Sequence, residues 1–96
     1  MVIRPVLKIY VDAYCFTCQE TYRLAAAIAP RAPELTIDMV DIDQADAVIP
    51  PEVFATPTYL LNGRVISLGN PTLERLCQAL REAGVAVAEP IDHGRP

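Results

Sequence analysis

The chain has 96 residues, enough for one domain with a single core, and its 52% hydrophobic content without a low-complexity block excludes a disordered chain. A net charge of −4, with the basic residues scattered from Arg4 to Arg95 and no basic patch, excludes nucleic acid as the expected partner. Three cysteines are too few, and odd in number, for a secreted disulfide framework.

Residues 1–11 are interrupted by Arg4, Pro5 and Lys8, which suits neither a cleavable leader nor a membrane span. The expected address is cytoplasmic, with no membrane partner. Residues 6–11, Val-Leu-Lys-Ile-Tyr-Val, predict a first strand with Leu7, Ile9 and Val11 on one face and Val6, Lys8 and Tyr10 on the other. Helical spacing takes over after Cys15 and continues to about residue 29, where Pro30 and Pro33 end it. Its expected stripe is Cys18, Tyr22, Ala25 and Ile28, and Ala25-Ala26-Ala27 favours helix.

Residues 35–42 alternate at strand length and predict a second strand, so strand, helix and strand suggest a right-handed parallel unit. Residues 43–52 form a polar, proline-bearing connection with room for one helical turn near 45–48. Asn62-Gly63 lies between the apolar runs 58–61 and 64–68, and this dipeptide is the preferred tight hairpin turn. Asn70 as cap and Pro71 in the first turn predict a last helix that Gly84 ends, with Leu73, Leu76, Cys77 and Leu80 as its buried stripe. From Ala88 the chain turns polar, which divides it into a domain over 1–87 and a tail over 88–96. The expected class is α/β: a four-stranded mixed sheet, built as β-α-β and then β-hairpin-α, with helices packed on it.

Cys15-Phe16-Thr17-Cys18 occupies the first strand-to-helix junction. Two thiols three residues apart can close a small disulfide, and unpaired helix N–H groups favour a thiolate at the first. Cys18, one turn further in, is expected to be more buried and less ionised. That asymmetry makes Cys15 the attacking thiol and Cys18 the resolving one. Zinc is the competing use of such a pair, but it wants four ligands and the rest of the chain offers only Cys77 and His93. Cys77 reads as core from its spacing, and Asp41, Asp43 and Asp46 read as a solvated acidic edge.

Four landmarks then stand in order: Cys15-Phe-Thr-Cys18, Val40-Asp-Ile-Asp43, Ala55-Thr-Pro57-Thr58 and Asn62-Gly63. The set, spanning residues 6–84, resembles the thioredoxin-like superfamily in its compact, glutaredoxin-sized form. The resemblance implies catalytic roles for Cys15 and Cys18. It also implies that Thr56 precedes a cis-proline, Pro57, in a loop that packs on the disulfide and binds substrate; Tyr14, an aromatic beside the motif, is a candidate to shield the sulfur pair or contact a partner. The chain departs from the family at Tyr14, where thioredoxins usually carry Trp, and at Phe16-Thr17, where they carry Gly-Pro. Gly69-Asn70 replaces the Gly-Gly pair of glutaredoxins, and the first strand lacks the buried carboxylate that thioredoxins use as a proton relay; Asp12 lies nearer Cys15.

The implied function is a small thiol–disulfide oxidoreductase that reduces protein disulfides or donates electrons to a client enzyme. It needs no cofactor; a reductase or low-molecular-weight thiol supplies its electrons. The alternative is a thioredoxin-fold binding or redox-sensing module with little or no turnover.

Overall fold

The computed structural model describes residues 4–13 and 17–88. The elements run β1 (Val6–Val11), α1 (Cys18–Ile28), a 3-10 turn (Ala29–Arg31), β2 (Thr36–Asp41), β3 (Thr58–Leu61), β4 (Arg64–Leu68) and α2 (Leu73–Glu82). Strand order is β2-β1-β3-β4. β1 pairs parallel with β2 and antiparallel with β3, and β3 pairs antiparallel with β4, which makes the expected four-stranded mixed sheet.

Period-two alternation in β1 puts Leu7, Ile9 and Val11 on the face that both helices cover. Tyr59 and Leu61 of β3 extend that face, and Leu24, Ile28, Leu76 and Leu80 come down on it from α1 and α2. Leu7, Ile9, Ile28 and Leu80 are fully buried, each contributing roughly 1.5–3 kcal/mol from burial alone. β3 lies between two neighbours and is buried at all four positions.

The stripe of α1 differs from the expected one. Cys18, Thr21, Leu24, Ala25 and Ile28 are buried, whereas Tyr22 is 53% exposed. At 100° per residue the buried arc centres near Thr21 and Ile28, and Tyr22 lies about a quarter-turn from that centre. The described helix begins at Cys18, with Thr17 as its N-cap. At its other end Pro30 is taken into the 3-10 turn, and the chain leaves helical geometry at Ala32.

Between β2 and β3 no helical turn forms. Single turns close from Gln44 N–H to the Asp41 carbonyl, Ala47 N–H to that of Gln44 and Val53 N–H to that of Pro50. Pro50 and Pro51 supply no N–H to propagate any of them. The hairpin is as its sequence dictates: Asn62 and Gly63 take φ of 51° and 85°, the double positive pair that a two-residue turn needs. The turn also holds β1, because the Val6 N–H donates to Asn62 Oδ1 and the Asn62 N–H to the Val6 carbonyl, both at 2.9 Å.

α2 is capped by Thr72, not Asn70: Thr72 Oγ1 accepts the Arg75 N–H at 3.1 Å. Leu76, Cys77 and Leu80 are buried while Leu73 is only partly so. Gly84, at φ 90°, turns the chain out of the helix, and the Val85 N–H returns to the Leu80 carbonyl. Ala88 is tied to Arg31 through its N–H at 2.7 Å and its carbonyl at 2.8 Å. The rest of the expected tail lies outside the described residues.

Candidate functional site

The carboxyl end of β1 delivers Asp12 and Ala13 to one end of the sheet, and α1 departs from the same end. Cys18 is the first residue of α1, is 5% exposed and is disulfide-bonded. Cys77, on α2, is a buried free thiol. Cys15 and Tyr14, with Phe16, lie outside the described residues.

Thr17 sits between the two motif cysteines in sequence, and its carbonyl is the most heavily used acceptor near them. It receives the Glu20 and Thr21 N–H groups at 3.1 and 3.3 Å, the ordinary opening bonds of α1. It also receives Asn70 Nδ2 at 2.7 Å. The other side of the same amide, Asn70 Oδ1, accepts the Thr21 hydroxyl at 2.6 Å and the Tyr59 hydroxyl at 2.8 Å. One side chain from the β4–α2 connection thus joins the start of α1 to the core strand β3. Thr21 and Tyr59 are both fully buried, so the amide satisfies two hydroxyls that water does not reach. Burial pushes the Tyr59 phenol up to about 12, with a further rise from the Glu20 carboxylate and a partial offset from its hydrogen bond to Thr21.

The Thr56–Pro57 peptide bond is cis. Thr56 donates its hydroxyl to Asp12 Oδ2 at 2.6 Å, which ties the loop before β3 to the end of β1, just ahead of the cysteine motif. Thr58 donates its hydroxyl to the Ala55 carbonyl, and the Pro57 carbonyl accepts the Gly69 N–H at 2.8 Å. Gly69 precedes Asn70. The loop, the β4–α2 connection and the start of α1 therefore form one hydrogen-bonded assembly.

Of the site residues expected from sequence, Cys18, Thr56 and Pro57 fall within or beside this assembly. Asp12, read only as a carboxylate nearer the motif than a relay would be, is the partner of Thr56. Asn70 was expected to be a helix cap and instead bridges three elements. Locally Thr72 is an equally good cap, and the partners that claim Asn70 lie 11 to 53 residues away in sequence, so no local signal marks its role. Upstream of Thr56, the connection exposes Val48 at 84% and Phe54 at 76%. Among the described residues no helix is long and apolar enough to cross a membrane.

No curated protein matches the chain. Among solved structures it is similar to oxidised thioredoxin O2 from Arabidopsis thaliana, at a TM-score of 0.66 and 21% identity, covering 81% of this chain and 73% of that one. It is similar also to oxidised thioredoxin from Plasmodium falciparum, at a TM-score of 0.65 and 18% identity, covering 83% and 81%. These likenesses establish the shared fold. The family model for the thioredoxin domain matches residues 6–81, most of the chain. The chain therefore belongs to the thioredoxin-domain family.

Proposed function

We propose that this protein is a cytoplasmic thiol–disulfide oxidoreductase working through a Cys15/Cys18 dithiol. The observation that carries the reading is the disulfide-bonded Cys18 at the first turn of α1, in a thioredoxin-domain chain whose Thr56–Pro57 loop is bound to the same end of the sheet. In the reduced protein the Cys15 thiolate attacks one sulfur of a client disulfide, forming a mixed disulfide and releasing the other client sulfur as a thiolate. The Cys18 thiol, deprotonated, then attacks Cys15, closing the intramolecular disulfide and releasing the second client thiolate. Two electrons pass to the client; a reductase or low-molecular-weight thiol restores the dithiol.

Burial suits Cys18 to the second step, because a sulfur with little exposure reaches the neighbouring sulfur sooner than it reaches solvent reagents. Thr56, Pro57 and Tyr14 are proposed as the client-binding surface. The exposed Phe54, two residues before Thr56, suits a client that presents apolar chain around its disulfide. The test is the turbidity that develops as insulin disulfides are reduced by dithiothreitol. Acceleration above the thiol background that is lost in Cys15→Ser supports the enzyme. No acceleration, in a folded protein whose thiols titrate normally, leaves only a binding or sensing module.

A further inference from the structure

The second face of the sheet, away from α1 and α2, carries a cavity of ≈ 350 Å³ that the redox reading does not use. Val6, Tyr10, Leu60 and Pro50 give it an apolar lining, and Arg4 and Lys8 stand in its wall. Alternation in β1 puts Val6, Lys8 and Tyr10 on the face opposite the core, and Arg4 precedes the strand at the same cavity. The Asn62-Gly63 turn closes one end, held to Val6 by the pair of 2.9 Å bonds. The volume falls at the small end of the range of roughly 300–1,000 Å³ typical of small-molecule sites.

The Asn62 amide oxygen of the lining is taken up by the Val6 N–H, but three other side chains of the cavity, Arg4, Lys8 and Tyr10, carry donors without partners among the described residues. Tyr10 is only 2% exposed, yet its hydroxyl makes no hydrogen bond among the described residues. No sealed side-chain polar atom among them lacks a partner, so the Tyr10 oxygen is one that the cavity leaves open. Arg4 and Lys8 form no ion pair among the described residues, although Lys8 stands opposite Asp38 in the parallel register. A guanidinium, an ammonium and a phenolic O–H around an apolar floor complement an anionic headgroup on an apolar body.

We infer that this cavity binds a small organic carboxylate, its headgroup held by Arg4, Lys8 and the Tyr10 hydroxyl and its body resting on Val6 and Leu60. The occupant is a small molecule rather than a peptide, because Pro50 and the hairpin turn limit the cavity's extent. Arg4 and the hairpin turn lie toward the opposite end of β1 from Asp12, where the Thr56 loop is tied.

The experiment is a titration of the full ¹⁵N-labelled chain with phenylacetate, with neutral phenylacetamide and with inorganic phosphate, followed by NMR. Phenylacetate should give saturable shifts centred on the amides of Lys8, Tyr10, Leu60 and Gly63. Phenylacetamide should bind at least about tenfold more weakly, as hydrogen bonds to a charged group are the stronger kind. Phosphate, lacking the apolar body, should be weaker than phenylacetate. Lys8→Gln should weaken phenylacetate about threefold, the effect of one partly exposed charge, and leave phenylacetamide unchanged; the spectrum itself reports whether the variant is folded. Equal affinity for acid and amide, phosphate binding as tightly as phenylacetate, shifts centred elsewhere, or no saturation would each overturn the inference.

Discussion

Replacing Asn70 with Ala removes three hydrogen bonds at once, and their partners do not lose equally. The Thr17 carbonyl keeps the Glu20 and Thr21 N–H groups, and the Thr21 hydroxyl keeps the Thr17 carbonyl at 3.4 Å. The Tyr59 hydroxyl, on a fully buried residue, loses its 2.8 Å bond to Asn70 and keeps only the Thr21 hydroxyl as a side-chain partner. Each of the three lost bonds is worth ~0.5–1.5 kcal/mol, so the expected loss is about 2–4 kcal/mol. Urea unfolding of the oxidised protein measures it, and Tyr59→Phe locates it. With the phenol already absent, Asn70→Ala should cost at least about 1 kcal/mol less, a coupling of the size found for residues in contact. Asn70→Asp keeps the acceptor for both hydroxyls and places a carboxylate oxygen against the Thr17 carbonyl, so it should also destabilise. An Asn70→Ala protein within about 0.5 kcal/mol of the parent, the range of an ordinary surface change, would refute the bridging role.

Three other outcomes follow from the same geometry. The Tyr59 phenol, raised from 10.0 to about 12 by burial, keeps its proton in the fold where the unfolded chain loses it. Its contribution is therefore intact below pH 10 and lost as pH rises toward 12, by roughly 3 kcal/mol for two units; urea midpoints at pH 9 and 11.5 should show a smaller fall in Tyr59→Phe than in the parent. Thr56→Val deletes the bond to Asp12 and should cost about 1–2 kcal/mol, below the value for a fully buried charged partner, while lowering the rate of insulin reduction. Cys77→Ser sets a hydroxyl into the core face of α2 and should cost ~1–3 kcal/mol if it stays unpaired, with insulin reduction per folded molecule unchanged.

The hairpin was legible because its determinant is a dipeptide: Asn62-Gly63 adopts two positive φ values with no help from distant chain. β1 was legible because a six-residue run rich in branched, aliphatic and aromatic side chains is of strand length, too short for a helix of that apolarity. The phase of α1 was misread at Tyr22, where aromatic bulk outweighed Thr21 in a hydrophobicity count. Thr21 is buried because Asn70, 49 residues away, accepts its hydroxyl, and no local pattern carries that partner. The cap of α2 was misplaced for a related reason. Asn70 and Thr72 are both good cap residues, and only the tertiary demand for an amide between Thr17 and Tyr59 decides between them. The loop at Thr56–Pro57 came from family resemblance; the dipeptide alone would not have placed it beside Asp12. The cavity on the second face depends on where the 43–57 connection runs, which turns and prolines leave open in sequence.

The central claim, that Cys15 attacks and Cys18 resolves, is tested most directly by capturing the intermediate. Cys18→Ser, reduced and then mixed with oxidised insulin, should accumulate a mixed disulfide on Cys15, visible as an adduct by intact-mass spectrometry and mapped by digestion. The parent protein should show it only transiently, and Cys15→Ser should show none. An adduct on Cys18 in Cys15→Ser that forms as fast as the one on Cys15, or Cys18→Ser turning over without accumulating any adduct, would contradict the account.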